Sequence, residues 1–148
     1  MLFVPPPLWV IVLLTGLYFL SELAVFAGLP AWRHEGAGIA LIVLGMALPF
    51  TAIAHFLAVN TQVLPTSESN NRLVVAGLYR FTRNPMYLGL VIASTGVALW
   101  FGRPLMFLAP LLFFAIANWV FIPYEEAKMR RQFGAEFDAY VKRVRRWI

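Results

Sequence analysis

Four stretches of this chain are apolar for as long as a bilayer is thick, and between them they carry one formal charge. Residues 8–29 include Glu22, whereas residues 38–59, 85–101 and 104–122 contain no Lys, Arg, Asp or Glu. A helix needs about 20 apolar residues to cross a bilayer, with about 17 near the lower limit. These runs predict an all-α integral membrane protein with four transmembrane helices. Charged residues make up 13% of the chain, against about 25% in soluble domains, so a soluble protein with a large core is a poor alternative. At 148 residues, with no internal repeat, a single domain is expected. The absence of cysteine excludes disulfides, thiol nucleophiles and Cys-ligated metals. Residues 1–20 hold no Lys or Arg, so the first apolar run is expected to remain as a helix rather than be cleaved as a leader.

The basic residues orient these spans. Arg72, Arg80 and Arg83 lie between the second and third spans. Lys128, Arg130, Arg131, Lys142, Arg143, Arg145 and Arg146 follow the fourth, so these two segments hold ten of the twelve Lys and Arg. Arg33 and Arg103 lie in the two remaining loops. Basic loops stay on the cytoplasmic side, which predicts a cell-membrane protein with both termini and the loop before residue 85 in the cytoplasm. The net charge of +5 is then a matter of topology and anionic lipid headgroups rather than of nucleic acid. After residue 122, Met129, Phe133, Phe137, Tyr140 and Val144 recur at helical spacing. They predict an amphipathic cytoplasmic helix over about residues 124–144, lying on the membrane or closing the mouth of the bundle.

Two polar clusters interrupt this pattern. The first is Gly77-Leu-Tyr-Arg-Phe-Thr-Arg-Asn-Pro-Met-Tyr-Leu-Gly89; the second, Tyr124-Glu125-Glu126, follows the fourth span. Asn84 is a good N-cap and Pro85 suits the first helical position, because its missing N–H would be unpaired there anyway. A helix N-terminus beside Arg80 and Arg83 attracts anions, and Tyr79 and Tyr87 add hydroxyls and ring faces. Capping and interfacial anchoring alone would explain this segment. Two adjacent carboxylates just outside a span are harder to explain that way. The turn Gly102-Arg103-Pro104 folds the third and fourth spans into a hairpin, which returns Glu125 and Glu126 to the depth of Arg83-Asn84-Pro85. Such a pair of walls suits a ligand of mixed charge. S-adenosylmethionine, with its carboxylate, ammonium, sulfonium and ribose, fits this description, the sulfonium being favoured by carboxylates and aromatic faces.

The order Gly77-x-Tyr-Arg-x-x-Arg-Asn-Pro-Met-Tyr, Glu125-Glu126, Phe133-Gly134 and Tyr140 resembles the isoprenylcysteine carboxyl methyltransferase family, in its bacterial membrane branch. Phospholipid N-methyltransferases share the general pattern. Thr61-x-x-x-Pro65 and Leu73-Val74 extend the likeness upstream. The resemblance implies S-adenosylmethionine-dependent methyl transfer to a hydrophobic acceptor, a carboxylate or an amine, that enters from the bilayer. It implies cofactor binding by Tyr79, Arg83, Asn84, Pro85, Tyr87, Leu88, Glu125 and Glu126, with Glu126 and Arg83 also as catalytic candidates. The chain departs from the pattern at three places. Asn84 replaces a frequent His, Leu78 replaces a frequent Pro, and no Arg precedes the Glu pair, which weighs against a prenylcysteine acceptor.

His55 lies about one turn from the cytoplasmic end of the second span and is the candidate base; the structural alternative is a hydrogen-bonded interhelical His. Ser21-Glu22 is read as an interhelical hydrogen-bonding pair or a headgroup contact and Asn118 as an interhelical hydrogen-bonding group, with Asn118 near enough to the Glu pair to line a pocket. No His or carboxylate spacing indicates a metal site. Gly38, Gly45 and Ala52 make a small-residue stripe that suits packing within one chain or between chains, so the oligomeric state stays open. Two competing readings remain: an NADPH-dependent membrane reductase, disfavoured by the lack of a Gly-rich phosphate loop, and a non-enzymatic scaffold.

Overall fold

The computed structural model describes residues 4–23, 26, 28–58 and 73–148; Thr61, Pro65 and Arg72 lie outside them. Among the described residues all regular structure is helical. Helix α1 spans Pro6–Ser21, α2 Glu35–Ala58 and α3 Pro85–Phe101. A short 3-10 turn, Gly77–Arg80, precedes α3, and another, Pro104–Phe107, opens α4, Leu108–Ile116. A π-helical turn, Ala117–Phe121, joins α4 to α5, Ile122–Phe133, and α6 is Ala135–Arg143. Among the described residues two helical stretches are long and apolar enough to cross a membrane, Glu35–His55 and Pro104–Phe133. Helices α1 and α3 are apolar but shorter, at 16 and 17 residues.

Helix α3 has the bounds its sequence predicts: Pro85 starts it, and Gly102 closes it with an N–H bond to Ala98 O. The first span does not reach residue 29. It ends at Ser21, where Glu22 leaves the helix and pairs with Arg103 of the α3–α4 turn. Arg103 also lies over the Tyr18 ring, 5.1 Å from its centre. The loop after α1 is tied to the same end: Trp32 N–H donates to Gly102 O at 2.8 Å, and His34 N–H to Leu99 O at 3.0 Å.

Helices α2 and α3 make the most extensive contact in the molecule. Gly38 and Gly45 of α2 oppose Gly96 and Gly89 of α3. A Cβ on Gly38 would come within 2.8 Å of Gly96 O, and one on Gly45 within 2.7 Å of Gly89 O. Ala52, one heptad on, is fully buried. The small-residue stripe is therefore used within the chain. In a bilayer such contacts gain from close packing rather than from the hydrophobic effect, so a Leu at Gly89 would force the helices apart. Helix α1 packs on α3, α4 and the Pro104–Phe107 turn. Around it Val10, Tyr87, Leu90, Phe113, Ala117, Phe121 and Ile122 form one core.

The single tail helix expected over 124–144 is two helices, and the first continues the fourth span without a break. Pro123 should interrupt an α-helix. Here the π turn widens the register, Ile122 N–H bonding to Ala117 O five residues back, and α5 carries Pro123 in its first turn. The break comes instead at Gly134, whose φ of +49° is open to glycine and costly to other residues. The predicted stripe then turns inward. Phe137 and Tyr140 join Ala52, Val74 and Tyr79 in a second core, with Met129, Phe133 and Val144 packed against it.

Candidate functional site

The two cores meet at the end of the bundle that carries the polar motif, and a cavity of about 450 Å³ lies between them. Its apolar side is made by the start of α1 and by Met46, Pro49, Phe50 and Ile53 of α2. Its polar side brings together Tyr79, Arg83, Asn84, Pro85, Tyr87, Glu125 and Glu126, with Lys128 beside them. Leu88 and His55 are not among the lining residues. Leu88 N–H closes the first turn of α3 on Asn84 O. His55 Nδ1 lies 2.8 Å from Thr51 O in its own helix. The rest of its ring fills the place a side chain at position 77 would take, so the positive φ of Gly77 (+60°) and its missing Cβ are both needed there. Asn118 also stays outside the cavity wall and binds the tail.

The polar clusters do not face each other across an open gap; they are paired. Arg83 Nη2 bonds Glu126 Oε1 at 2.8 Å, with side chains only 11% and 16% exposed. Arg146 holds the same carboxylate as a fork, Nη2 to Oε2 at 2.6 Å and Nε to Oε1 at 3.2 Å. Such bidentate charged bonds are among the strongest and most directional available. Arg83 Nη1 donates to Val144 O and, at 3.4 Å, to Val141 O. Its Nε is buried without a hydrogen-bond partner. Glu125 is held separately: Tyr87 OH donates to its Oε1 at 2.6 Å, and the Tyr87 ring stacks on Phe121 at 6.0 Å. Lys128, one turn after Glu125, is 8% exposed.

Asn84 sits at the N-cap position but does not cap α3 with its side chain. Its Nδ2 donates instead to Arg146 O at 2.9 Å. Thr82 Oγ1 accepts the Asn84 N–H and donates to the same carbonyl, both at 3.1 Å, and Arg83 N–H donates to Arg145 O at 3.0 Å. The expected cap is thus replaced by a segment from the far end of the chain. On the other side Tyr140 OH donates to Tyr79 O at 2.7 Å. Burial pushes both phenols well above their ordinary range, so both stay neutral.

Sequence reasoning took Arg146 only as one charge in a basic tail and did not anticipate its place at the site. A charge run carries no signal for which of its members turns inward. Pro123 offered a partial one. It has no N–H for the carbonyl five residues back, Asn118 O, and Arg146 Nη1 reaches that oxygen and Asn118 Oδ1, each at 3.4 Å.

The phospholipid methyltransferase family model matches residues 34–136. Protein-S-isoprenylcysteine O-methyltransferase B of Arabidopsis thaliana is 32% identical over 138 residues, covering 89% of this chain and 68% of the relative. Its A counterpart is 31% identical over 144 residues with the same coverage. A probable protein-S-isoprenylcysteine O-methyltransferase of Oryza sativa subsp. indica is 29% identical over 131 residues, or 84% of this chain and 66% of the relative. No solved structure matches at comparable significance.

Proposed function

The chain belongs to the phospholipid methyltransferase family and is a methyltransferase; from that premise we propose that it uses S-adenosylmethionine to methylate a hydrophobic, membrane-resident acceptor. The observation that carries this reading is the cavity itself, in which cations, carboxylates and aromatic faces share one polar wall opposite an apolar one. The residues present fit the cofactor. The volume of about 450 Å³ falls in the range of ligand pockets, about 300–1,000 Å³. The buried, unpartnered Arg83 Nε is a donor awaiting an acceptor. Glu125, Tyr79 and Tyr87 give a cationic centre a carboxylate and ring faces.

When bound, S-adenosylmethionine supplies a methyl group already activated by its sulfonium. The protein's share is alignment and exclusion of water. On this reading Arg83 and Asn84 hold one end of the cofactor, and Glu125, oriented by Tyr87, the other. Glu126 acts by fixing Arg83. Lys128 favours an acceptor bearing a carboxylate over one bearing a protonated amine, which accords with the O-methyltransferase names of the relatives. The apolar wall of α1 and α2 takes the acceptor's hydrophobic part.

The protein is an integral membrane protein, and we read its apolar helices as four spans. Helices α1 and α3, each about 25 Å long at 1.5 Å per residue, are served by local thinning of a bilayer core of about 30 Å. The basic segments support both termini and the motif loop being cytoplasmic. Because the chain has no cysteine, Arg145→Cys and Arg33→Cys should react with an impermeant maleimide from opposite sides of the cell membrane; labelling from the same side would refute the topology. The cofactor is tested by equilibrium binding of S-adenosylmethionine to the detergent-purified protein, with NADPH in parallel. Saturable binding of the first alone is expected. Binding of NADPH alone would replace the reading with a reductase, and binding of neither with a scaffold.

A further inference from the structure

We propose that residues 144–147 form a strap that braces the site from behind its wall, in which Arg146 is the positioning residue that sets Arg83 through their shared carboxylate, Glu126. The inference rests on the cavity being an S-adenosylmethionine site. The strap lies beyond residues 34–136, the part matched by the family model, and none of its residues lines the cavity, so its role is indirect.

Three elements converge on Arg146. Its backbone carbonyl receives Thr82 Oγ1 and Asn84 Nδ2, fixing the turn before α3. Its guanidinium forks onto Glu126 of α5. The same guanidinium reaches Asn118 in the π turn, where Trp147 Nε1 also donates to Asn118 Oδ1 at 3.0 Å. The Trp147 ring packs on Phe114 at 4.6 Å, which anchors the end of the strap in the span. Both oxygens of Glu126 are therefore engaged by arginine, Oε1 by Arg83 and Arg146 and Oε2 by Arg146. A carboxylate so held can neither rotate freely nor accept a ligand ammonium without losing a partner. Its function is to hold Arg83, whose Nη groups are taken by Glu126 and by strap and α6 carbonyls, leaving Nε as its free donor. If Arg146 is lost, Glu126 is released at one oxygen and Arg83 loses its fixed orientation, although neither residue has been altered.

The test is S-adenosylmethionine affinity, with the melting temperature in detergent as the check on folding, for Arg146→Ala, Arg146→Lys, Glu126→Gln, the double variant Arg146→Ala/Glu126→Gln, and Arg143→Ala as a charge-matched control. Arg146→Ala is expected to weaken binding about tenfold or more, and Arg146→Lys to restore part of it, since an ammonium cannot form the fork. Arg143→Ala, an exposed change outside the strap, should bind like wild type. In the double variant the losses should not multiply, because both substitutions break one linkage. Wild-type affinity in a folded Arg146→Ala protein, or fully multiplicative losses, would overturn the inference. If Arg146→Ala does not fold, Arg146→Lys carries the test, and wild-type affinity there together with multiplicative loss in Arg146→Lys/Glu126→Gln would overturn it. Absence of binding by the wild-type protein would instead bring down the cofactor reading, and this inference with it.

Discussion

Each end of the helical bundle is closed by an arginine–carboxylate pair, and the two pairs differ in almost everything else. At the hairpin end Arg103 meets Glu22 with the side chains 35% and 46% exposed, under one tyrosine ring. At the motif end Arg83 and Arg146 share Glu126, which is 16% exposed, and the strap carbonyls supply further acceptors. The first joins two turns. The second joins a turn, a π-helical bend and a strap around a cavity. The same pair of functional groups is a fastening where water competes with it, and part of a built site where it is more shielded and both carboxylate oxygens are engaged.

The sharpest way to break this contrast is to neutralise each carboxylate in turn. Glu126→Gln should weaken S-adenosylmethionine binding at least about tenfold and lower stability by about 1–3 kcal/mol, the cost of unmatching part-buried charged hydrogen bonds; calorimetry and thermal melts in detergent would measure both. Glu22→Gln should cost less than about 1 kcal/mol and leave binding unchanged. Equal effects at the two ends would show that burial does not separate them. Next in size, Tyr87→Phe removes the bond to Glu125 while keeping the ring stacked on Phe121, and should lower affinity several-fold, or about 1 kcal/mol. The smallest effect is expected at His55, which is at the same end but outside the cavity wall. His55→Gln should change turnover by no more than about twofold, whereas loss of a general base costs about a hundredfold or more. A hundredfold loss with a flattened pH profile would restore the base assignment.

Much of the helical frame was legible because the relevant signals are local. Pro85 and Gly102 bracket α3, and the glycines of α2 announce a close approach. Local signals misled where tertiary contacts overrode them. Hydropathy carried the first span on to residue 29, past the point where Glu22 turns aside to Arg103. The fourth span was expected to end at residue 122, yet one wider turn carries the helix past Pro123 and places the true break at Gly134. At the candidate site, the motif residues were identifiable as a group, and apart from Leu88 and His55 they surround one cavity. Their pairing was not legible. Asn84 reads as a cap from its neighbours, but its amide is claimed by a carbonyl 62 residues away. Arg146 is one of four arginines and lysines in the last seven residues, and only the fold separates it from the others.

That strap has a consequence for how such proteins are compared. Toward the motif turn it presents the backbone oxygens of Val144, Arg145 and Arg146, a chemical group that all twenty amino acids possess. The turn therefore depends on the presence and path of the strap, and hardly at all on the letters that spell positions 144 and 145. A column-by-column comparison of side chains would not register these backbone contacts. A truncation that looks harmless by that measure would remove the acceptors of Thr82, Arg83 and Asn84 at once.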